Sequence, residues 1–418
     1  MKKRIIAAIS LILLTSTLAG CGATTKDIKL KEEKMQVVLE LGWWGNDPRH
    51  TYTIEAVEKF EELHPNIKVN LDYGEFSNYE TRWNIKMKAG IEPDIMQVNY
   101  AWMKNMVKGS DAFYNINELS DTIDLTTYSE ESLSYGTVNN TLYALPIALN
   151  AKSFVYDEQA YEQYGLSIPK TWEDIFAAAE VLSKDEIYAL DLEQSTAWFV
   201  IESYWEQKTG KEFATDGKLN LTQEDIEIML DFYISLIESK VTPDPSKHDA
   251  NHFSDGTYAG GVLWVTDTAR YEAMLPDGHT FAVGDYPVLS GASRTGRYIK
   301  PATMYAVNKN TQHPTEAAQL LDFLLNSEEM AMLQQVEKGV PVSSKQKSKL
   351  EKEGLLTGVL SEAESRMGDQ EIYLIDENYE NSVIKDELKT ATDSILYNGQ
   401  SVEDAAAVYY QKIMEALG

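Results

Sequence analysis

The chain of 418 residues contains one cysteine, Cys21. That count excludes a disulfide framework and any cluster of thiolate metal ligands. Positive charge is scarce as well: 37 Lys and Arg stand against 66 Asp and Glu, a net charge of −29. A surface this acidic repels a phosphate backbone, so no nucleic-acid partner is expected. No apolar run is long enough to cross a bilayer of about 30 Å. There is no HExxH pair, no GxSxG nucleophile elbow and no glycine-rich phosphate loop. No catalytic residue and no cofactor is therefore expected. His248-Asp-Ala-Asn-His252 spaces two histidines at i and i+4, but it follows Pro243 and Pro245 and has no third ligand nearby. A metal site is set aside on that ground. What is present, 43% hydrophobic and 25% charged residues, is ordinary globular composition, and the length predicts two or three domains.

The N-terminus reads as an address. Lys2, Lys3 and Arg4 precede an apolar stretch from Ile5 to Leu14, too short to span and right for a secretory leader. Leu18-Ala-Gly-Cys21 resembles the lipobox of bacterial lipoproteins, whose cysteine is diacylated and becomes the mature N-terminus. The resemblance implies a signal peptide over residues 1–20 and a palmitate-type lipid anchor on Cys21, on the extracellular face of a Gram-positive cell membrane. Two acyl chains give stable attachment where one is marginal. The alternative is plain secretion with a chance cysteine. Residues 21–35 are small, polar and charged, a flexible tether.

From Met35 onward the hydrophobic period switches between two and three-to-four. Val37, Leu39 and Leu41 alternate as a strand ending at Trp43-Trp44; Ile54, Val57, Phe60 and Leu63 mark a helix. Ile67, Val69, Leu71 and Tyr73 form a second strand, a charged helix spans Tyr79–Ala89, and Ile95–Val98 is a third strand. Strand-helix-strand repetition predicts an α/β fold with a parallel sheet covered on both faces. Thr171, Thr222 and Ser401, each with an Asp three residues on, match helix capping boxes. Pro314 suits a first helical turn, and Ala214–Lys218 reads as a hairpin turn.

Leu41-Gly-Trp-Trp-Gly-Asn-Asp-Pro-Arg-His50, Gly90-Ile-Glu-Pro-Asp-Ile-Met-Gln97, Tyr143-Ala-Leu-Pro-Ile147, Ile168-Pro-Lys-Thr-Trp-Glu-Asp174, Gly260-Gly-Val-Leu-Trp264 and Gly339-Val-Pro-Val342 occur in that order. Together they resemble the extracellular solute-binding proteins (family 1) of carbohydrate ABC importers, the maltodextrin-binding superfamily. The resemblance implies a two-lobed periplasmic-binding-protein-like fold of type II, each lobe a mainly parallel sheet flanked by helices. It implies three hinge crossings, near Pro146–Asn150, Pro301–Thr303 and Ser344–Leu350. Lobe 1 then comprises 36–147 plus 303–347, and lobe 2 comprises 148–302 plus 348–418. The implied function is capture of an extracellular oligosaccharide by a monomer that delivers it to the transmembrane subunits of an ABC permease. A lipid-anchored glycosidase or lyase, and a surface adhesin for host glycan, are the rival readings.

Ligands of open α/β sheets bind beyond the C-terminal strand ends. Those positions hold Trp43, Trp44, Glu75, Asn99, Tyr100 and Trp102, rings for sugar C–H faces and polar groups for hydroxyls. One of Trp43 and Trp44 is expected to face the cleft and the other the core. Asn46, Arg49 and His50 follow the first strand; Arg49 is either a bidentate donor to a sugar or an ion-pair partner. Trp264 ends a strand where the family places an aromatic under its ligand. Asp267, Asn150, Trp198 and Lys300 complete the expected site, and Arg49, His50, Arg82 and Lys300 are candidates for a sugar carboxylate. Trp172 and Trp83 are expected to pack. Because the rest of the chain holds no second membrane signal, Cys21→Ser is expected to move the protein from the membrane to the soluble fraction, as read by fractionation and blotting, with its melting curve unchanged.

Overall fold

The computed structural model describes residues 36–417, apart from 111, 216 and 377, so the leader, Cys21 and the tether lie outside the described residues. β1 (Val37–Trp44), α1 (Asp47–Leu63), β2 (Ile67–Gly74), α2 (Tyr79–Ala89), β3 (Ile95–Val98) and α3 (Tyr100–Ser110) alternate as the periodicity predicts. β1 runs parallel to both neighbours, Leu41 pairing with Leu71 of β2 and Ile95 of β3. Strand alternation turns Leu39, Leu41 and Trp43 into the core under α1 and Trp44 into the core on the other face. Gly42 lies between them because the Trp83 indole rests on the β1 backbone. A Cβ there would sit 2.6 Å from Trp83 Cζ2.

The chain then forms β4 (Ala144–Asp157), α4 (Trp172–Leu182), α5 (Gln194–Thr209), α6 (Gln223–Glu238), β5 (Gly260–Trp264), α7 (Thr268–Glu272) and β6 (Phe281–Val283). β7 (Tyr298–Val307), α8 (Pro314–Asn326), α9 (Glu328–Gln334), α10 (Ser344–Lys352) and α11 (Gly358–Ser365) follow. The chain closes with β8 (Tyr373–Leu374), α12 (Ser382–Asn398) and α13 (Val402–Leu417). β4 and β7 are the frame. The first half of β4 pairs antiparallel with the second half of β7, and β7 in turn pairs with β3. The second half of β4 pairs with β5 and β6, and the start of β7 pairs with β8. One eight-stranded sheet therefore serves two lobes.

Where the two lobes meet, the ladder changes character. β7 shifts register between Pro301 and Met304, a bulge that Pro301, lacking an N–H, favours. Ala148 of β4 forms an isolated bridge with Pro341. Gly339 beside it has φ of 99°, and a Cβ there would lie 2.9 Å from Thr266 and 3.1 Å from Ala148. Only glycine lets that backbone approach so closely.

The α/β class stands, with a finer point about strand direction. The sheet is mixed: β1, β2 and β3 are parallel, whereas β4 is antiparallel to β5, β6 and β7. Long strands shared by two lobes make this necessary, since a return strand across the hinge runs opposite to the outgoing one. The stretch expected as a third crossing, Ser344–Leu350, lies within α10, which packs on α8 and α9. The passage to α11, which packs against α7 and β6, comes after Lys352.

Local signals translate directly. Thr171 with Asp174 and Thr222 with Asp225 form reciprocal capping boxes at α4 and α6. Ser401 Oγ accepts from Asp404 N at 3.1 Å before α13. Pro314 opens α8, and Ala214–Thr215 pairs with Lys218–Leu219 as the hairpin. α5, α6, α12 and α13 form one helical layer over a core that includes Trp172. Trp172 donates from Nε1 to Gln207 Oε1 at 3.0 Å and meets Phe154 and Phe232 edge-on. Trp172→Ala is expected to cost about 3–5 kcal/mol of stability, measured by denaturant unfolding, the usual range for emptying a buried aromatic site.

Candidate functional site

Beyond the ends of the parallel strands the first lobe presents an aromatic wall. Trp44 meets Tyr79 at 4.9 Å, Phe76 at 5.6 Å and Trp102 at 5.6 Å between ring centres. Phe76 and Trp102 stack at 5.2 Å. Phe76 is 51% exposed and Trp102 half-buried, so part of the wall faces outward. Asn99 Oδ1 accepts from Ala101 N at 2.9 Å and starts α3, which carries Trp102. Tyr100 is buried, and Glu75 is exposed at the turn before α2. Arg82 lies over Trp83 and pairs with Asp72 at 3.1 Å.

The start of α1 forms a second wall. Asn46 caps the helix by accepting from Arg49 N at 3.2 Å. Arg49 reaches Glu337, donating to its carbonyl at 3.1 Å with the carboxylate at 3.5 Å. Arg49 is thus an ion-pair partner here, although its Nε has no hydrogen-bond partner. With Asn46, Arg49 lines a cavity of about 930 Å³ closed on the far side by Thr266, Asp267 and Arg270. That volume suits a small ligand. Gln334 also lines it, buried, its Nε2 unpaired among the described residues. Next to it Gln335 has φ 46° and ψ −121°, a conformation costly for a residue with a Cβ and commonest at functional sites. Lys338 is buried, its Nζ without a hydrogen-bond partner, and burial holds its amine well below its ordinary value.

The third wall belongs to the second lobe. In register, Lys152 of β4 pairs with Trp264 of β5, and Lys300 of β7 pairs with Asn150 of β4. The period of two puts all four on one face of the sheet. Lys152 Nζ is 4.1 Å and Lys300 Nζ 4.5 Å from the centre of the half-buried Trp264 ring, with Phe199 edge-on at 5.0 Å. Lys300 pairs with Glu380 at 2.5 Å. Asn150 straps β4 to the start of the next turn, exchanging hydrogen bonds with Thr266. Asp267 lies 3.8 Å from Arg270.

Two expected site tryptophans are packing residues instead. Trp43 is fully buried, stacked on Tyr73 and donating to His50 Nδ1 at 3.1 Å. Trp198 is fully buried against Phe213 and Tyr379. His50 serves as Trp43's acceptor. The histidines set aside as metal ligands pair with carboxylates: His248 with Asp191 and His252 with Asp255. Sequence reasoning missed Lys152, Gln334, Lys338 and Glu380. Lys152 had a signal, being the one cation in the otherwise apolar run Ala144–Val155.

Glu202 and Glu206 on α5 are the acidic pair nearest in form to a glycosidase dyad, but both are fully buried. Tyr379 donates to Glu202, and Tyr298 and Arg294 hold Glu206. Burial and the neighbouring Glu206 push the Glu202 carboxyl well up. Burial, more than the charge of Lys338, holds His50 below its usual imidazole value. A proton that the folded imidazole refuses is taken up by the unfolded chain below about pH 6.5, so His50's contribution is lost as pH falls through that range. His50→Gln, which keeps an acceptor for Trp43, is expected to flatten the fall of Tm between about pH 6.5 and 5; an unchanged slope would assign that fall to other groups.

Residues 46–331 match the model of the bacterial extracellular solute-binding proteins. An oligogalacturonide-binding protein of Yersinia enterocolitica, solved with saturated digalacturonic acid, superposes with a TM-score of 0.82 at 27% identity, over 91% of this chain and 99% of that one. A de novo designed cysteine esterase superposes at 0.83 with 27% identity, over 92% and 98%. An ABC transporter extracellular-binding protein of Pyrococcus horikoshii is 23% identical over 331 residues, 75% of this chain and 76% of its own length. With its match running through both lobes, this chain belongs to the bacterial extracellular solute-binding protein family and is the solute-binding protein of an ABC transporter.

Proposed function

We propose that the chain captures an oligosaccharide between its lobes, without turning it over, and presents it to the permease while tethered by a lipid on Cys21. The observation that carries this reading is the three-walled gap: accessible aromatic rings at Phe76 and Trp102 backed by the buried Trp44, a cavity between α1 and α7 lined by Asn46, Arg49, Asp267 and Gln334, and Trp264 on the second lobe. Rings cover sugar C–H faces while Asn46, Arg49, Asp267 and Gln334 meet hydroxyls, each of which costs about 1–3 kcal/mol if left unpaired. Similar proteins, among them the oligogalacturonide-binding protein and a multiple sugar-binding protein of Streptococcus mutans, support a sugar ligand.

Closure is assigned to the hinge at Pro146–Asn150 and Pro301–Thr303, with a third strand of chain after α10. A ligand that touches both lobes favours the closed form by its differential affinity, and the permease then recognises that form. Absence of turnover rests on site chemistry. The one buried acidic pair on α5 is sealed by Tyr379, Tyr298 and Arg294. A thiol of the kind named for the designed esterase has no counterpart among the described residues, since the single cysteine is Cys21. No helix among the described residues is long and apolar enough to cross a membrane.

Calorimetric titration with the best oligosaccharide from a glycan array is expected to give a Kd of about 1 μM or tighter, near −8 kcal/mol. The recovered saccharide should be unchanged in length and linkage, and scattering should show a smaller radius of gyration in the complex. Trp102→Ala and Trp264→Ala should each weaken binding by about 1–3 kcal/mol. Cleavage of the saccharide above a no-protein control would return the enzyme reading.

A further inference from the structure

Lys152 is an unusual residue to find in the hinge strand. Its side chain is 4% exposed, and its Nζ has one hydrogen bond, to the neutral Thr196 Oγ1 at 3.1 Å. A buried ammonium without a carboxylate partner is costly, and natural chains keep few. The nearest cation, Lys300, shares the Trp264 ring with it. Two like charges on one indole repel each other, and Glu380 answers only Lys300 directly. Trp264 offsets part of the cost as a cation–π support. Carboxylates act on Lys152 from Asp267, Glu380 and Glu193, but among the described residues none is bonded to its Nζ, so one ammonium is left without a direct anionic partner.

We infer that Lys152 and Lys300, held on Trp264, form a seat for a carboxylate of the ligand, so that the captured saccharide is an acidic, uronate-type oligosaccharide. This rests on the capture reading above. The ligand carboxylate supplies the anion that Lys152 lacks and takes a share of Lys300 from Glu380, while the sugar ring lies towards Asp267 and Asn150. Charge-assisted hydrogen bonds from two ammonium groups are the strong kind, and in a desolvated gap they discriminate sharply against a neutral isostere.

The seat also couples binding to protons. Burial, with Lys300 adding to it, lowers Lys152 to about 7, against the opposing pull of Asp267, Glu380 and Glu193. Those groups, with Thr196, are the polar neighbours that face it from β7, the turn before α7, the loop before α12 and the start of α5. An anion in contact raises that pKa again, so binding takes up a proton above about pH 7 and affinity for the acid falls as pH rises.

The test uses the soluble chain without its leader, which keeps the whole described body. A glycan array carrying neutral, uronate and sialylated saccharides is followed by calorimetry with oligogalacturonates and oligoglucuronates and with the same saccharides carboxyl-reduced to neutral alcohols. The expected result is an acid bound at least about tenfold tighter than its reduced counterpart. Proton uptake should appear at pH 7.5 as a dependence of the heat on the ionisation enthalpy of the buffer. In Lys152→Met the acid-over-neutral ratio should fall towards one and the proton uptake should vanish. A reduced saccharide that binds as tightly as its acid overturns the carboxylate seat and leaves capture standing. A Lys152→Met protein that keeps the full ratio overturns the role of Lys152. An array with no saccharide bound at all overturns capture itself, and the seat with it. The comparison of acid with reduced saccharide needs no variant, so it decides the question even if Lys152→Met folds poorly.

Discussion

The antiparallel pair β4–β7 runs from Ala306 against Ala144 to Ile299 against Ala151, and each end of it is claimed by a different set of neighbours. A strand long enough to serve two cores has to leave one before it enters the other. Between them lies a short length of ladder where the register shifts, and the polar groups of the candidate site gather around it. Asn150, Lys152 and Lys300 lie on the pair itself, and Trp264 lies beside it on β5. The third wall of the gap is therefore made by the hinge strands themselves. On the capture reading, a change in the angle between lobes would move the same groups that touch the ligand, making binding and closure one event.

Much of this was legible from local chemistry. The period-two and three-to-four patterns located β1 to β3 and their helices, and hydroxyl-x-x-Asp spacing located α4, α6 and α13, because these signals depend on near neighbours only. The partition of Trp43 from Trp44 was half legible: alternation requires opposite faces, but which face meets α1 depends on tertiary packing. Trp198 was misjudged because an aromatic on a helix carries no mark of whether the facing side is a core or a gap. Lys152 was missed for a different reason. A lysine in an apolar run is ordinarily a strand edge, and its confinement arises from Trp264, more than a hundred residues away.

Charge distribution makes the same point at larger scale. The net charge of −29 makes the molecule strongly negative, yet Arg49 lines the cavity between α1 and α7, Lys152 and Lys300 flank Trp264, and Lys338 is buried over Tyr52 and Tyr305. Two of the four are buried amines without a carboxylate bonded to them. Carboxylates accompany the others: Glu337 pairs with Arg49 and Glu380 with Lys300. On the carboxylate-seat reading, an anion approaching from outside is repelled by the net charge and held only at Lys152 and Lys300, so selectivity would owe more to depth than to long-range steering.

Pro301 sits where β7 changes register, and it has no amide hydrogen to give to the ladder. Its ring also fixes one of the two soft torsions at that point. On the closure reading, bending would fall where the ladder is interrupted, between Pro301 and Met304, and the regularly paired sheet on either side would move as a unit. Such a joint would act like a flexure machined into a solid beam. Stiffness at the joint and stability of the two cores are then separate quantities. On that reading, substitutions at residues 301–304 would shift the opening equilibrium without loosening either core, and the cores could drift in sequence without altering the swing.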